Sequence, residues 1–179
     1  DDVESRGLGD VYKRQEVQKA EKAREAGECM GEALPELRDI MHKIKETYDV
    51  SKENVGVGST IFAVKPGDGS AREQAASCQK VLGGWANIAN EYATKRYRSN
   101  LINWGMLPFI IDKGELPFTN GDYIFIPKIA DAVKNKATSM KAYVVNKDMK
   151  EFELKMDELT DDEREIILDG CLINYYRNH

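Results

Sequence analysis

Residues 66–76, PGDGSAREQAA, combine the residue types that best fit a chemical role. The glycines come directly before a segment with the composition of a helix start. Backbone N–H groups at a helix N-terminus have no partner within the helix and bear a partial positive charge. Arg72 adds a planar cation that can bind a carboxylate or a phosphate through two hydrogen bonds. This segment therefore predicts a binding site for a small anion.

Two common phosphate-binding motifs do not fit this segment. A Gly-x-Gly-x-x-Gly dinucleotide fingerprint starting at Gly67 requires glycine where the chain has Arg72. The Gly-Lys-Ser/Thr ending of a P-loop is also missing. A purely structural interpretation stays open on the loop alone, with Asp68 or Ser70 capping a helix and Arg72 in solvent.

The cysteines and histidines predict no metal site. Cys29, Cys78 and Cys171 are odd in number and far apart, which is typical of reduced thiols in a cytoplasmic protein. His42 and His179 lie near no cysteine or carboxylate cluster at ligand spacing, and a histidine-based catalytic triad is disfavoured. We expect Cys78 to be a buried structural thiol.

Composition argues against nucleic-acid and membrane partners. The 179 residues include 26 Lys and Arg against 31 Asp and Glu, which gives a net charge of −5. The run Lys95, Arg96, Tyr97 and Arg98 interleaves cations with an aromatic ring, as single-strand binders do. Its acidic surroundings favour a solvated helix face packed behind the site. No stretch of about 18 uncharged apolar residues is present, so no transmembrane helix is predicted.

Hydrophobic periodicity and turn signals predict alternating helices and strands through the middle of the chain. The predicted helices are 16–29, 37–48, 70–82 and 92–104, and the predicted strands are 58–64, 85–89, 106–111, 123–126, 142–145 and 152–154. A capping box at Thr160 predicts one packed C-terminal helix through Tyr176. This order predicts one α/β domain with a mixed, partly parallel sheet and flanking helices.

The first residues lack any helical or strand periodicity. The segment SRGLGDVYKRQ resembles translated sequencing-adapter read-through, and the chain starts at Asp1 rather than Met. We expect residues 1–15 to be a non-native or disordered leader. Residues 16–179 are then expected to be the folded domain without its natural N-terminal part.

Three blocks of the chain resemble the C-terminal swivel domain of the aconitase superfamily. The blocks are 69–76 (GSAREQAA), 82–84 (LGG) and 97–108 (YRSNLINWGMLP). Family members have Gly-Ser-Ser-Arg-Glu-His-Ala-Ala, then Leu-Gly, then Arg-(Ser/Thr)-Asn-Leu and Gly-(Leu/Met)-Leu-Pro, in the same order and spacing. The resemblance covers about residues 58–109. It implies a swivelling β/β/α three-layer domain.

The resemblance implies a role for each loop residue. Ser70 matches the serine base of aconitase-like enzymes, Arg72 matches the arginine that binds a substrate carboxylate, and Gly69 lies beside them in the substrate site. Ala71 stands where the family has a second substrate-binding serine, so one donor is lost and citrate is in doubt as substrate. Gln74 replaces the usual histidine. Asn100 and Asn103 have either a loop-binding or an ordinary turn role.

The resemblance further implies a cytoplasmic hydro-lyase acting on a small hydroxy di- or tricarboxylate. Its [4Fe-4S] cluster would be held by residues of other domains, in the same chain or a partner chain. We therefore expect this chain to be inactive alone. Two alternatives remain open: a stand-alone small subunit of an isopropylmalate-isomerase-type enzyme, and a non-catalytic carboxylate-sensing module, for which Ala71 is the clue.

Overall fold

The computed structural model describes residues 8–27, 29–51 and 53–179, with side chains from residue 15 onward. These residues form two compact units. The first unit contains the described residues up to Ser59 together with Val81–Gly83, and the second contains Thr60–Lys80 and Gly84–His179.

The first unit is helical. It contains α1 (Leu8–Glu25), a short 3-10 helix (Met30–Glu32) and α2 (Glu36–Thr47). The apolar stripe of α2 is buried through Leu37, Ile40 and Ile44, as its helical spacing predicts. The buried Glu21 accepts hydrogen bonds from Arg24 at 2.7 Å and from the Val57 N–H at 2.8 Å. A buried carboxylate with such partners is satisfied, so we assign it a structural role.

Helix α1 begins at Leu8, earlier than the predicted start at Glu16. Its sequence is charged and has little apolar stripe, so periodicity gives no signal although many of its residues are good helix formers. The part of the predicted leader before residue 8 lies outside the described residues. The division into a leader and a domain stays a prediction.

The second unit is built on a mixed sheet with the strand order β1-β2-β3-β6-β5-β4. The strands are β1 (Ser59–Ala63), β2 (Gly84–Ala89), β3 (Leu107–Ile110), β4 (Ile124–Phe125), β5 (Ser139–Val144) and β6 (Lys150–Lys155). β2 is parallel to β3 in the register Ile88 to Phe109. β6 is antiparallel to both β3 and β5, and β4 is antiparallel to β5. The predicted α/β class with a partly parallel sheet is confirmed.

Helices flank the sheet of the second unit and complete its core. They are α3 (Arg72–Val81), α4 (Lys95–Asn103), α5 (Ile129–Lys134), α6 (Asp161–Leu168) and α7 (Leu172–Asn178). The core includes Ile88, Ile102, Phe109, Val144 and Leu154, all almost fully buried. Burial of these apolar side chains is the main force that holds the helices against the sheet.

The C-terminal segment differs from the prediction of one packed helix. The capping box at Thr160 is confirmed, but Gly170 adopts a φ of +90° and separates α6 from α7. Glycine at a left-handed position is a common helix end. Ile166 is buried and Ile167 and Leu172 pack against the core. Ile173 and Tyr176 are each 73% exposed, so the last part of the predicted apolar face is not packed. The short helix α5 was not predicted, since six residues give too little periodicity.

Candidate functional site

Three loops follow β1, β2 and β3, and they lie at one edge of the sheet. The loops are residues 64–71, 90–94 and 111–123. β1 runs parallel to β2, because Thr60 contacts Ala86 while Val64, further along, contacts Glu91. Ligands of α/β proteins bind at the carboxyl ends of parallel strands. This edge is therefore the candidate site.

Hydrogen bonds fix the three loops to one another. The Val64 carbonyl accepts the Glu91 N–H at 3.2 Å, and the Pro66 carbonyl accepts the Ala93 N–H at 2.9 Å. The side-chain amide of Asn90 donates to the Ile111 carbonyl at 3.0 Å. The first loop is thus held in place before α3 begins.

The predicted site residues lie together at the N-terminus of α3. Gly69, Ser70 and Ala71 are exposed, and Arg72 is the first residue of the helix. The Ala71 carbonyl accepts the Ala75 N–H at 3.0 Å, which makes Ala71 the N-cap residue. A methyl group cannot accept a hydrogen bond, so this cap leaves the first-turn N–H groups to solvent or to a bound anion.

The Arg72 guanidinium is partly buried and is oriented by its own loop. Its Nε–H donates to the Gly67 carbonyl at 3.1 Å. That bond occupies one of the five N–H donors of the guanidinium. The two terminal nitrogens are the ones that can bind a carboxylate side by side.

Gly67 is required at its position by the backbone and by its neighbour. Its φ of +99° is rare for residues with a side chain, and a Cβ there would lie 2.5 Å from the Tyr97 Cβ. The loop therefore packs directly on α4. Sequence reasoning did not identify this contact, because 30 residues separate the two positions and no motif links them.

A buried polar layer lies beneath the loop. The Tyr97 hydroxyl accepts hydrogen bonds from Gln79 and from Asn87, each at 3.0 Å. Tyr97 and Asn87 are each 2% exposed. The neighbouring Tyr92 donates its hydroxyl to the Phe109 carbonyl at 3.0 Å, and burial raises the pKa of this phenol well above its usual range. Tyr92 therefore stays protonated at neutral pH.

Charged side chains surround the exposed part of the edge. Glu91 forms an ion pair with Lys65 and lies 3.8 Å from Lys113. The hydrogen bond from Lys65 lowers the pKa of Glu91, and the same bond raises the pKa of Lys65. Asp112 pairs with Lys155 at 2.6 Å. Both carboxylates are neutralised by lysines, so the edge remains open to an anion at Arg72.

In the described part of the chain, no side chain is hydrogen-bonded to the Ser70 hydroxyl in the position of a general base. A serine without such a partner depends on nearby positive charge and N–H dipoles for any activation. Those are the groups that α3 and Arg72 provide.

The other predicted residues have structural roles. Arg98 donates to the carbonyls of Asp157 and Glu158, each at 3.2 Å, and pairs with Glu163 at 3.3 Å. Lys95 and Arg96 are exposed while Tyr97 is buried, so the predicted solvated helix face is confirmed for the two cations. A buried ring is not available for base stacking.

Cys78 is exposed, so its prediction as a buried thiol is wrong. It lies on the outer face of α3, which buries Ala76 instead. Cys29 is also exposed, and all three cysteines are unpaired. Among the residues that the structure describes, no three His, Cys, Asp or Glu side chains form a group that could hold a metal ion.

Comparison with known proteins identifies the family of this domain. Residues 12–114 match the model of the aconitase C-terminal domain, which is more than half of the chain. The chain belongs to the aconitase C-terminal domain family. The predicted resemblance is thus confirmed, and this aconitase-type domain includes the whole Gly69–Arg72 segment within the matched region.

Two known proteins are similar to this chain. The chain is 29% identical over 152 residues to aconitate hydratase A of Rickettsia bellii, and this match covers 81% of the chain but 17% of the relative. The crystal structure of 3-isopropylmalate dehydratase from Methanocaldococcus jannaschii matches with 30% identity and a TM-score of 0.51. That match covers 78% of this chain and 75% of the solved one.

No helix in residues 8–27, 29–51 and 53–179 is long and apolar enough to cross a membrane.

Proposed function

We propose that this chain is the swivel domain of an aconitase-like hydro-lyase that acts on a small hydroxy di- or tricarboxylate. The observation that supports it most is the exposed Ser70 beside Arg72 at the uncapped N-terminus of α3. Family membership gives the reaction class, because the relatives are named as a hydratase and a dehydratase.

Ser70 is proposed as the base of this reaction. It would remove a proton from the carbon next to a substrate carboxylate, and the bonding electrons would form the double bond as hydroxide leaves the neighbouring carbon. A serine alkoxide is stable only where positive charge surrounds it. The first-turn N–H groups of α3 and the Arg72 cation supply this stabilisation.

Arg72 is proposed to bind the carboxylate next to the reacting carbon. With Nε held by Gly67, its terminal nitrogens present a fixed pair of donors. Gly69 lets the substrate approach the backbone, since its Cβ position is open space. Ala71 adds no donor, and we therefore propose a substrate other than citrate. Fixed geometry of this kind supplies much of an enzyme's rate enhancement.

Relatives of this type imply a [4Fe-4S] cluster, which would act as the Lewis acid for the leaving hydroxyl. The described residues of this chain do not fit such a cluster, since none of their Cys, His, Asp or Glu side chains are grouped as ligands. The proposal places the cluster in another domain of the same chain or in a partner chain, and it assigns this chain no step at the cluster. The domain alone is then inactive.

A small subunit of the isopropylmalate-isomerase type is the second candidate. It is favoured by the match over 75% of the solved dehydratase chain, against 17% of the aconitate hydratase. The unpaired cysteines fit a cytoplasmic location for either form. Sequencing the neighbouring reading frames separates the two forms, because a cluster-bearing partner is either fused to this domain or encoded separately.

A carboxylate-sensing module without catalysis is the third candidate, favoured by Ala71 at the cap position. It predicts binding of carboxylates that depends on Arg72 without any turnover. Calorimetry and turnover assays on the same intact protein distinguish it from an enzyme.

Substitution of Ser70 tests the proposed function. Ser70→Ala in the intact protein is expected to lower kcat by at least about a hundredfold, with affinity for the acid largely unchanged. Ser77→Ala is the matched control, since Ser77 lies on the same helix and its hydroxyl donates to the Gln74 carbonyl at 3.3 Å, within the helix itself. Equal turnover of Ser70→Ala and the wild type would refute the base assignment.

A further inference from the structure

Tyr97 contacts both ends of the segment that presents Ser70 and Arg72. Before the segment, its Cβ and ring pack on Gly67, whose carbonyl receives the Arg72 Nε–H at 3.1 Å. After the segment, its hydroxyl accepts the Gln79 amide at 3.0 Å. Gln79 follows Arg72 by seven residues on α3, so the two lie on the same face of the helix.

The surroundings of Tyr97 leave it little freedom. The side chain is 2% exposed, and Asn87 on β2 donates a second hydrogen bond to its hydroxyl at 3.0 Å. The hydroxyl is thus hydrogen-bonded to the sheet and to α3 at once, while the ring packs against the loop. A buried hydroxyl that accepts two hydrogen bonds is held rigidly, since moving it would leave the buried Asn87 amide and the partly buried Gln79 amide without this partner.

We propose that Tyr97 is a positioning residue for Arg72. It sets the orientation of the guanidinium from two sides, through the Gly67 carbonyl and through the Gln79 end of α3. It touches no substrate itself. The assignment rests on the proposed function, in which Arg72 binds a substrate carboxylate.

Tyr97→Phe tests the assignment, because it keeps the ring and removes only the hydroxyl. In the intact protein, calorimetry with citrate and with malate should show about five- to tenfold weaker binding of the tighter of the two acids, and KM should rise by the same factor. This size takes the net contribution of the lost hydrogen bonds as the upper limit on the affinity that is lost when Arg72 is less well oriented.

Tyr92→Phe is the matched control. It removes a largely buried hydroxyl from the same region, but the partners of that hydroxyl are the carbonyls of Asn87 and Phe109 rather than any group on α3. The Tm of thermal unfolding should be lowered by similar amounts in both variants. Only Tyr97→Phe should weaken acid binding, and equal weakening in both variants would overturn the assignment.

A double-mutant cycle with Arg72→Lys separates positioning from general destabilisation. Lysine retains the charge but loses the Nε–H bond to Gly67 and the paired donors. In the Arg72→Lys background, Tyr97→Phe should cost no further affinity. Full additivity would overturn the positioning role while leaving the proposed function intact. No loss of affinity in Arg72→Lys, or no binding of either acid by the wild type, would overturn both.

Discussion

Ser70 and Arg72 show what single residues must supply for the proposed reaction. The serine is exposed and has no basic side chain as partner in the described residues, so its environment is the N-terminus of α3 and the Arg72 cation. Arg72 is oriented through one nitrogen and keeps two for an anion. Stabilisation of charge, rather than proton relay through a second side chain, is therefore the chemistry that this arrangement favours.

These two residues were predictable because a local motif contains them. Glycines, a serine and an arginine before a helix indicate an anion site from types and spacing alone. Gly67 and Tyr97 were not assigned to the site, since their contact depends on how α4 packs on the loop. The exposure of Cys78 was also missed, because Ala76 rather than Cys78 lies on the buried side of α3.

Asp122 has a carboxyl group whose pKa is strongly changed by its environment. Burial alone would raise its pKa, but hydrogen bonds from Lys147, from the Thr119 N–H and hydroxyl and from Asn146 lower it well below the usual range. The Lys147 Nζ lies 2.7 Å from the carboxylate, and the Asn146 amide lies 2.8 Å from it. These bonds join the 111–123 loop to the end of the β5–β6 hairpin.

The lowered pKa of Asp122 predicts a pH-dependent stability. A carboxyl whose pKa falls on folding stabilises the fold above its unfolded pKa, about 4, and that contribution is lost as pH falls below this value. Asp122→Asn should therefore cost roughly 2 kcal/mol at pH 7 and progressively less below about pH 4. Urea unfolding at several pH values measures the difference.

Asp148→Asn is the control for this prediction. Asp148 is exposed with a φ of +54°, which asparagine also adopts readily. It should change stability by less than about 0.5 kcal/mol at each pH. A constant difference between the wild type and Asp122→Asn from pH 7 to pH 3 would contradict the stated cause.

At the scale of elements, α3 lacks a side-chain cap at its N-terminus. Most helices begin with Ser, Thr, Asp or Asn at the N-cap, as α4 does with Thr94 and α6 does with Thr160. Ala71 holds that position in α3. Like α2, α5 and α7, α3 receives no hydrogen bond from an N-cap side chain, but α3 is the helix that begins at the candidate site.

Restoring a cap at position 71 should stabilise the domain. Ala71→Ser is expected to add about 1 kcal/mol, which corresponds to roughly 2–4 °C in Tm for a chain of this size. Calorimetric unfolding measures it. Ala75→Ser, at an exposed position inside the same helix, should lower Tm slightly. A lower Tm for Ala71→Ser would show that a side-chain cap does not fit here.

Elements with strong local signals were predicted well and the weak ones were not. The strands predicted at 142–145 and 152–154 are present as the antiparallel hairpin of β5 and β6. Gly83 and Gly105 end α3 and α4 with φ of +80° and +69°. The division between α6 and α7 was missed because the apolar spacing continues across Gly170. Packing decides such a case, and packing is not visible in a periodicity.

For the whole molecule, the fold class followed from the alternation of strands and helices, but the strand order did not. β6 pairs with β3, so the last strand is inserted beside a strand that precedes it by about 40 residues. No local pattern specifies such a pairing, because it depends on which edge of the sheet is free when the hairpin packs.

The chain covers very different shares of its two relatives. The chain spans 17% of the length of aconitate hydratase A and 75% of the 3-isopropylmalate dehydratase chain. Its described residues include the candidate anion site at Arg72 and no group of side chains that could hold a metal ion. Under the proposed function, this domain would contribute Ser70 and Arg72 to the active site, and another domain or a partner chain would contribute the cluster.

The most direct test is the hydration turnover of this 179-residue chain, alone and combined with the cluster-bearing part, as wild type and as Ser70→Ala. The rate of conversion of a small unsaturated di- or tricarboxylate is the single quantity measured. We predict turnover only in the combination and only with Ser70 present. Turnover by the chain alone, or undiminished turnover by the combination with Ser70→Ala, would contradict it.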